Sequence, residues 1–286
     1  DAFVVRSVGL AEGLPAGAWS APIPLAGVQA PADLDVDAAG RMYVADPEAN
    51  HVFVFAANGK PLRTIGKADA QAEGHYDRLT MMTPRRVSCW RDGTRDRVIV
   101  MEGEGPGRFA EWSPEGELIR EWQGLVPHAN NGYAEDPEHP DHIYIQGHGG
   151  YLLRFAVNRD SRQWTLDAVW PHVTGALGRT WRGEGSFPRM IRHDGRLYLA
   201  YGRGLSVYRF DGDRCLASAA LMLTVDGKNR NYFAWHDANG DGTLQEDEVG
   251  RERIEVPRGV FGYHGDGWQR DFSLVCPGEG TSDVWR

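Results

Sequence analysis

From residue 31 to residue 66 apolar and polar positions alternate with a period of two, and turn signals break the alternation at short intervals. This is the pattern of half-buried β-strands joined by tight turns. Pro31–Asp37 reads as a first strand and Ala38-Ala39-Gly40 as a turn. Arg41–Asp46 reads as a second strand, followed by a turn at Pro47-Glu48-Ala49-Asn50. His51–Ala56 is a third strand. Ala57-Asn58-Gly59-Lys60 carries the Asn-Gly signal of a tight hairpin, and Pro61–Gly66 is a fourth strand. Four short antiparallel strands in about 36 residues make one propeller-type blade.

The pattern recurs with decay. A second set is Pro84–Trp90, Arg97–Glu102, Arg108–Trp112 and Ile119–Trp122, with Ser113-Pro114-Glu115-Gly116 as its last hairpin. A third is Ala129–Ala134, His142–Gly147, Tyr151–Val157 and Trp164–Trp170. A fourth is Arg189–His193, Arg196–Gly202, Leu205–Phe210 and Leu216–Leu223. First strands starting near residues 31, 84, 129 and 188 are spaced by 53, 45 and 59 residues. Those steps sit near the ~40–50 residues of one blade, with room for loop insertions. Beyond Val225 the repeat blurs. Tyr232–His236, Arg253–Val256, Val260–His264, Asp271–Cys276 and Ser282–Trp285 read as strands without a clear grouping. Phe3–Val8 reads as a strand with no local partner, suited to completing the last blade and removing open sheet edges. The expected fold class is all-β. A single β-propeller spans residues 1–286, with about six four-stranded blades and five or seven as alternatives. Lys67–Thr83 and Pro171–Phe187 exceed ordinary connections, and such loops are either functional or exposed insertions. The stop at Trp285-Arg286 points to a segment of a longer protein.

The run Pro31–Lys67 resembles an NHL repeat, the blade unit of one family of β-propellers. The matching features are a Pro opening the first strand, Asp-x-x-Gly at Asp37–Gly40, Tyr43-Val44-Ala45-Asp46, Asn50-His51-Val52, and Asn58-Gly59-Lys60 before the last strand. The resemblance implies the fold, because NHL-type propellers serve as lyases, lactonases and pure binding surfaces. Some lyases of this type hold zinc with three histidines from channel positions. This chain departs from that pattern. Only His128 and His264 fall at suitable strand starts, while His142, His148 and His193 lie at outer-strand or turn positions.

Composition narrows the function classes. The chain has 286 residues, 41% of them apolar and 25% charged, the balance of a folded globular protein. With 36 Gly and 16 Pro it is rich in turns. A net charge of −9 and the lack of a basic run argue against nucleic-acid binding, which needs a positive surface. No apolar run is long enough for a membrane helix. The chain opens at Asp1 without a signal peptide, as after removal of a leader or a trimmed start. Cys89, Cys215 and Cys276 form an odd set with no C-x-x-C pair. They read as idle thiols, with a Cys215–Cys276 disulfide as the alternative.

One motif carries metal chemistry. Asp237 to Glu248 fits the EF-hand calcium loop at every required position. Calcium takes oxygen ligands. Asp237, Asn239 and Asp241 supply side-chain oxygens, Thr243 a backbone carbonyl, Gln245 a direct or water-mediated contact, and Glu248 a closing carboxylate. Gly242 permits the left-handed turn that wraps the loop, and Leu244 is placed to anchor it to the core. The flanks are not helices. Tyr232–His236 is strand-like, and Gly250 and Pro257 leave room for about one helical turn. A lone loop between strands suits a structural Ca2+ rather than a sensor. A weak site of that kind fills outside cells, so an extracellular or periplasmic location is expected.

Other chemistry is expected at the mouth of the propeller channel, lined by the first strand of each blade. The candidates there are Arg85, Arg86, His128, Asn130, Asn131, Arg189, Asn231, Tyr263 and His264. Arg86 and Arg189 can clamp a carboxylate and His128 can act as a general base. Alternatively, the arginines pair with the chain's surplus carboxylates. The leading expectation is a secreted bacterial, calcium-stabilised binding module, monomeric as this segment. It would take a small-molecule, carbohydrate or protein ligand through Arg86, Asn130, Arg189 and His264. The alternative is a propeller lyase or hydrolase on an anionic or carbohydrate substrate, with His128 catalytic.

Overall fold

The computed structural model describes residues 3–11, 14–103, 107–124, 133–146, 151–171, 188–201, 206–226, 229–255, 269–277 and 282–285. Four antiparallel meanders dominate it, each in sequential strand order. The first sheet is Asp33–Val36, Met42–Asp46, His51–Phe55 and Pro61–Ile65. The second is Pro84–Asp92, Arg95–Glu102, Arg108–Trp112 and Leu118–Gln123. The third holds Tyr133–Glu135, His142–Gln146, Leu152–Asn158 and Gln163–Trp170, and the fourth Pro188–His193, Arg196–Tyr201, Ser206–Asp211 and Arg214–Asp226. The fold class is all-β and the sheets are of propeller-blade type. Among the described residues no helix is long and apolar enough to cross a membrane.

Three strands sit elsewhere than the repeat predicts. Asn229–His236 is a fifth strand of the fourth sheet, paired along Arg214–Asp226 from Ala219↔His236 to Asp226↔Asn229. Gly74–His75 is a fifth strand of the third sheet, pairing Gly74↔Val169 and His75↔Ala168. Phe3–Val5 does have a local partner, Ile23–Leu25, with Phe3↔Leu25 and Val5↔Ile23 in register. The intervening chain folds back because the Ser20 N–H bonds the Ser7 carbonyl and the Ser20 hydroxyl accepts the Ser7 N–H. Ser282–Trp285 pairs with Leu274–Pro277. Val260–His264 and the first residues of Ala129–Ala134 lie outside the described residues.

The chain forms two compact units, Asp1–Gln71 with Asp77–Leu125, and Ala72–Tyr76 with Val126–Arg286. In the first unit, Tyr43, Val52, Val54 and Ile65 of the first sheet pack on Val87, Val98, Val100, Ala110 and Trp112 of the second. In the other unit, Tyr144, Leu152 and Trp170 of the third sheet pack on Leu199, Tyr201, Tyr208 and Trp235 of the fourth. Full burial of each large apolar side chain contributes about 1.5–3 kcal/mol.

Polar groups fix how the first two sheets meet. Asp33 and Asp35 are the polar positions of the first strand, yet they face the neighbouring sheet. Asp33 Oδ2 accepts the Val87 N–H at 3.1 Å and Asp35 Oδ2 the Cys89 N–H at 2.7 Å. The Asp of the Tyr-Val-Ala-Asp motif, Asp46, is fully buried. It accepts N–H groups of Gln29, Ala30, Glu48 and Ala49 at 2.6–3.1 Å, closing the turn that follows it.

A buried charge cluster holds the second sheet to the loop before it. Arg108 and Glu102 have no exposed side-chain surface. Arg108 donates to Glu102 Oε1 at 2.5 Å, to Glu121 Oε2 at 2.7 Å, and to the carbonyls of Arg78 and Thr80. Glu102 Oε2 accepts the Met82 N–H at 2.7 Å. Burial pushes the Glu102 carboxyl up to about 7, against the pull of Arg108 and the Met82 N–H. Arg108→Met strands that carboxyl, and a loss of about 3–5 kcal/mol in urea unfolding is expected. Without Arg108 the folded pKa of Glu102 rises further above its unfolded value. Such a group costs stability as the pH climbs above ~4.5, so the deficit is larger at pH 8 than at pH 5.

Candidate metal centre

The calcium-type loop grows out of the fourth sheet. The strand Asn229–His236 runs straight into Asp237, whose N–H bonds the Ser218 carbonyl at 2.9 Å. After the loop the chain returns beside the same strand. Val249 bridges to Trp235, Ile254 bridges to Tyr232, and the Gly250 N–H bonds the Ala234 carbonyl at 2.7 Å. Backbone pairing thus clamps both ends of the loop, where a helix–loop–helix motif would use helices. One turn of 3₁₀-helix lies within the loop at Glu246–Glu248, and the described residues 249–255 that follow it contain no helical turn.

Inside the loop the leading side chains curl the backbone around themselves. Asp237 Oδ1 accepts the Gly240 N–H and Oδ2 the Gly242 N–H, both at 3.0 Å. Asn239 Oδ1 accepts the Asp241 N–H at 2.8 Å, and Asp241 Oδ1 the Thr243 N–H at 2.7 Å. Gly242 has φ 74°, as the sequence requires, and a Cβ there would lie 3.0 Å from Leu216 Cβ. Leu244 packs against the core of the third and fourth sheets. Asn239 and Gln245 bond each other at 3.2 Å, and each donates to Asp241 Oδ2. Glu248 is buried. Its Oε1 accepts the N–H groups of Ala238 and Asn239 at 3.0 and 3.2 Å, and its Oε2 the Trp235 indole N–H at 3.0 Å.

The donor set is oxygen throughout, and three carboxylates give it the charge that suits a hard divalent ion. Among the described residues no three His, Cys, Asp or Glu side chains already stand together as a ligand set. The carboxylates are instead engaged by N–H groups of the loop and its flanks. Two partners come from the sheet and were invisible in the motif. Trp235 orients Glu248, and Arg209 of the strand Ser206–Asp211 reaches Asp237 Oδ2 at 2.5 Å and the Gly240 carbonyl at 2.6 Å. Trp235 lies two residues before the loop on the strand that leads into it, whereas Arg209 is brought there by strand pairing across the fourth sheet.

Of the channel candidates, Arg85, Arg86, Arg189 and Asn231 lie among the described residues. Arg86 lies on the first strand of the second sheet, with its side chain 68% exposed and 3.8 Å from Asp33 Oδ1. Arg189 is exposed on the first strand of the fourth sheet. The two belong to different units. Asn231 sits in the added fifth strand, opposite Thr224. His128, Asn130, Asn131, Tyr263 and His264 lie outside the described residues, as does His148. His142 lies beside His139, with ring centroids 5.6 Å apart, and His193 meets the Phe272 ring edge-on. Cys89 and Cys215 are free thiols, so the alternative of a Cys215–Cys276 bridge is not what forms. Burial pushes the Cys215 thiol well up, which keeps it inert.

No protein-family model matches the sequence, and no curated protein matches it. Solved structures similar to the chain include virginiamycin B lyase from Staphylococcus aureus, at 11% identity and a TM-score of 0.26, covering 90% of this chain and 84% of that one. Another is a putative 6-phosphogluconolactonase from Bacteroides fragilis, at 13% identity and 0.29, covering 92% and 82%. The C-terminal WD40 domain of Sif2 stands at 14% identity and 0.28, covering 76% and 60%. All three are β-propeller proteins. Scores this low carry no argument, and the fold class rests on the chain's own four-stranded meanders.

Two outcomes follow for the loop. Gly242→Ala forces a Cβ into the left-handed region and against Leu216, and about 1–3 kcal/mol of stability is lost in thermal unfolding. The Thr243 N–H, helped by Asn239 and Gln245, holds the Asp241 carboxyl below its ordinary range. A group depressed on folding stabilises above its unfolded pKa and loses that contribution as the pH falls through the folded value. Acid therefore loosens the loop below about pH 4, and Asp241→Asn removes that part of the acid sensitivity in a pH series of amide exchange.

Proposed function

We propose that the chain is a calcium-stabilised, NHL-like β-propeller that acts as a binding module in an extracellular or periplasmic setting. The observation that carries this is the loop Asp237–Glu248. All six calcium-type positions are present in order, and the nested turns at Asp237, Asn239 and Asp241 already curve the backbone. Asp237, Asn239, Asp241, the Thr243 carbonyl, Gln245 and Glu248 would hold the ion. The rigid, strand-clamped flanks favour a structural over a sensing role, because there are no flanking helices to move. A weak site fills only where calcium is plentiful, which favours a secreted protein. Ring closure and about six blades complete the reading, with the bound small molecule, carbohydrate or protein at the channel mouth near Arg189. The lyase or hydrolase reading is weaker, since Arg86 already has Asp33 close by.

A ligand that binds only the folded state stabilises it by about 2.7 kcal/mol at a hundredfold excess over Kd. Melting in a chelator is expected several degrees below melting in millimolar calcium, and Asp237→Ala should erase the difference. Superimposable melting curves in calcium and chelator overturn the calcium assignment.

A further inference from the structure

The Asp237 side chain has no exposed surface. A buried carboxylate needs a counter-charge or a full set of donors. This one has both within the protein. Besides the Gly240 and Gly242 N–H groups, it faces the guanidinium of Arg209, a side chain only 12% exposed. Arg209 is not a stray surface charge folded over the loop. Its Nη1 also approaches the Ala217 carbonyl at 3.4 Å, and its Nη2 holds the Gly240 carbonyl at 2.6 Å. It is thus tied to the loop's first ligand, to the loop backbone and to the adjacent strand.

We infer that Arg209 is a resident counter-cation of the calcium loop: it neutralises Asp237 when no ion is bound, keeps the ion-free loop folded, and weakens calcium binding. The inference rests on the calcium reading above. The twelve residues of the loop carry five carboxylates, those of Asp237, Asp241 and Glu248 at ligand positions and those of Glu246 and Asp247 beside them. Without an ion they repel one another, and no flanking helices restrain them. A guanidinium on the first carboxylate relieves part of that repulsion. The same charge stands close to any ion coordinated by Asp237, and like charges at short range repel. The two cations therefore answer the same carboxylate, and whatever stability Arg209 gives the empty loop is subtracted from the gain on binding. The result is a loop that stays shaped without its ion and takes it up weakly.

The test compares the unaltered chain with Arg209→Gln, Arg209→Met and Arg209→Lys. Calcium affinity is read by displacement of Tb3+, whose luminescence is sensitised through Trp235, the residue bonded to Glu248. Thermal unfolding is recorded in calcium and in chelator. The two neutral variants should bind calcium roughly tenfold tighter, melt lower than the unaltered chain in chelator, and show a wider gap between the two conditions. Arg209→Lys retains the charge and should stay near the unaltered chain. Neutral variants that fold but bind calcium equally or less tightly overturn the inference. Neutral variants that remain unfolded even in calcium also overturn it, because Arg209 is then a residue of the fold and not of the loop's charge balance. If the unaltered chain responds to neither Tb3+ nor calcium, the calcium reading itself fails, a result separable from both.

Discussion

Small four-stranded sheets must lose water from their faces without stranding backbone polar groups, and everything else in this molecule follows from that requirement. Apolar side chains meet the first half. Tyr43, Val54 and Ile65 find Val98, Val100 and Trp112 in the sheet that follows. Carboxylates meet the second half. Asp33, Asp35 and Asp46 are acceptors for N–H groups left over where one sheet abuts another or where a turn leaves the ladder. Arg108 extends the same logic to carbonyls, gathering those of Arg78 and Thr80 into a buried ion cluster. The acidic balance of the chain is therefore partly internal: several of its carboxylates work as fixed acceptors and not as a solvated coat.

The four meanders were legible because period-two alternation and turn residues are local signals. What escaped the sequence is non-local. Alternation cannot tell a strand face turned to water from one turned to a neighbour's N–H groups, so it does not reveal the bonds of Asp33 and Asp35 to the second sheet. A two-residue strand such as Gly74–His75 has no period at all, and only its pairing reveals it. Tyr232–His236 had no clear grouping because the repeat leads one to expect four strands per sheet and not a fifth. Its partner strand, however, runs on to Asp226 and carries it along in the same sheet. Phe3–Val5 looked partnerless because its partner lies beyond an intervening short hairpin, Gly9–Ala11 with Leu14–Ala16.

The metal-type loop shows the same division. Its oxygen positions are contiguous, so spacing alone exposes them. Arg209 comes from a strand well before the loop and reaches it only through the fold, while Trp235 stands on the strand that leads directly into it but falls outside the motif. A sheet thus takes over the task that two helices perform elsewhere. The ends of the loop are held by backbone ladder bonds, and the orientation of its first and last carboxylates is set by side chains projecting from neighbouring strands.

The short strand Gly74–His75 has a consequence for how the chain is made. Its partners, Ala168 and Val169, lie roughly a hundred residues further along, a large sequence separation for a single pairing. At ribosomal rates of about 5–20 residues per second the segment waits roughly 5–20 s for its partner to emerge. Arg108, which fastens Arg78 and Thr80 a few residues after that segment, is made well within that interval. The residues that complete the Arg108 cluster are thus all synthesised before the partner of Gly74–His75.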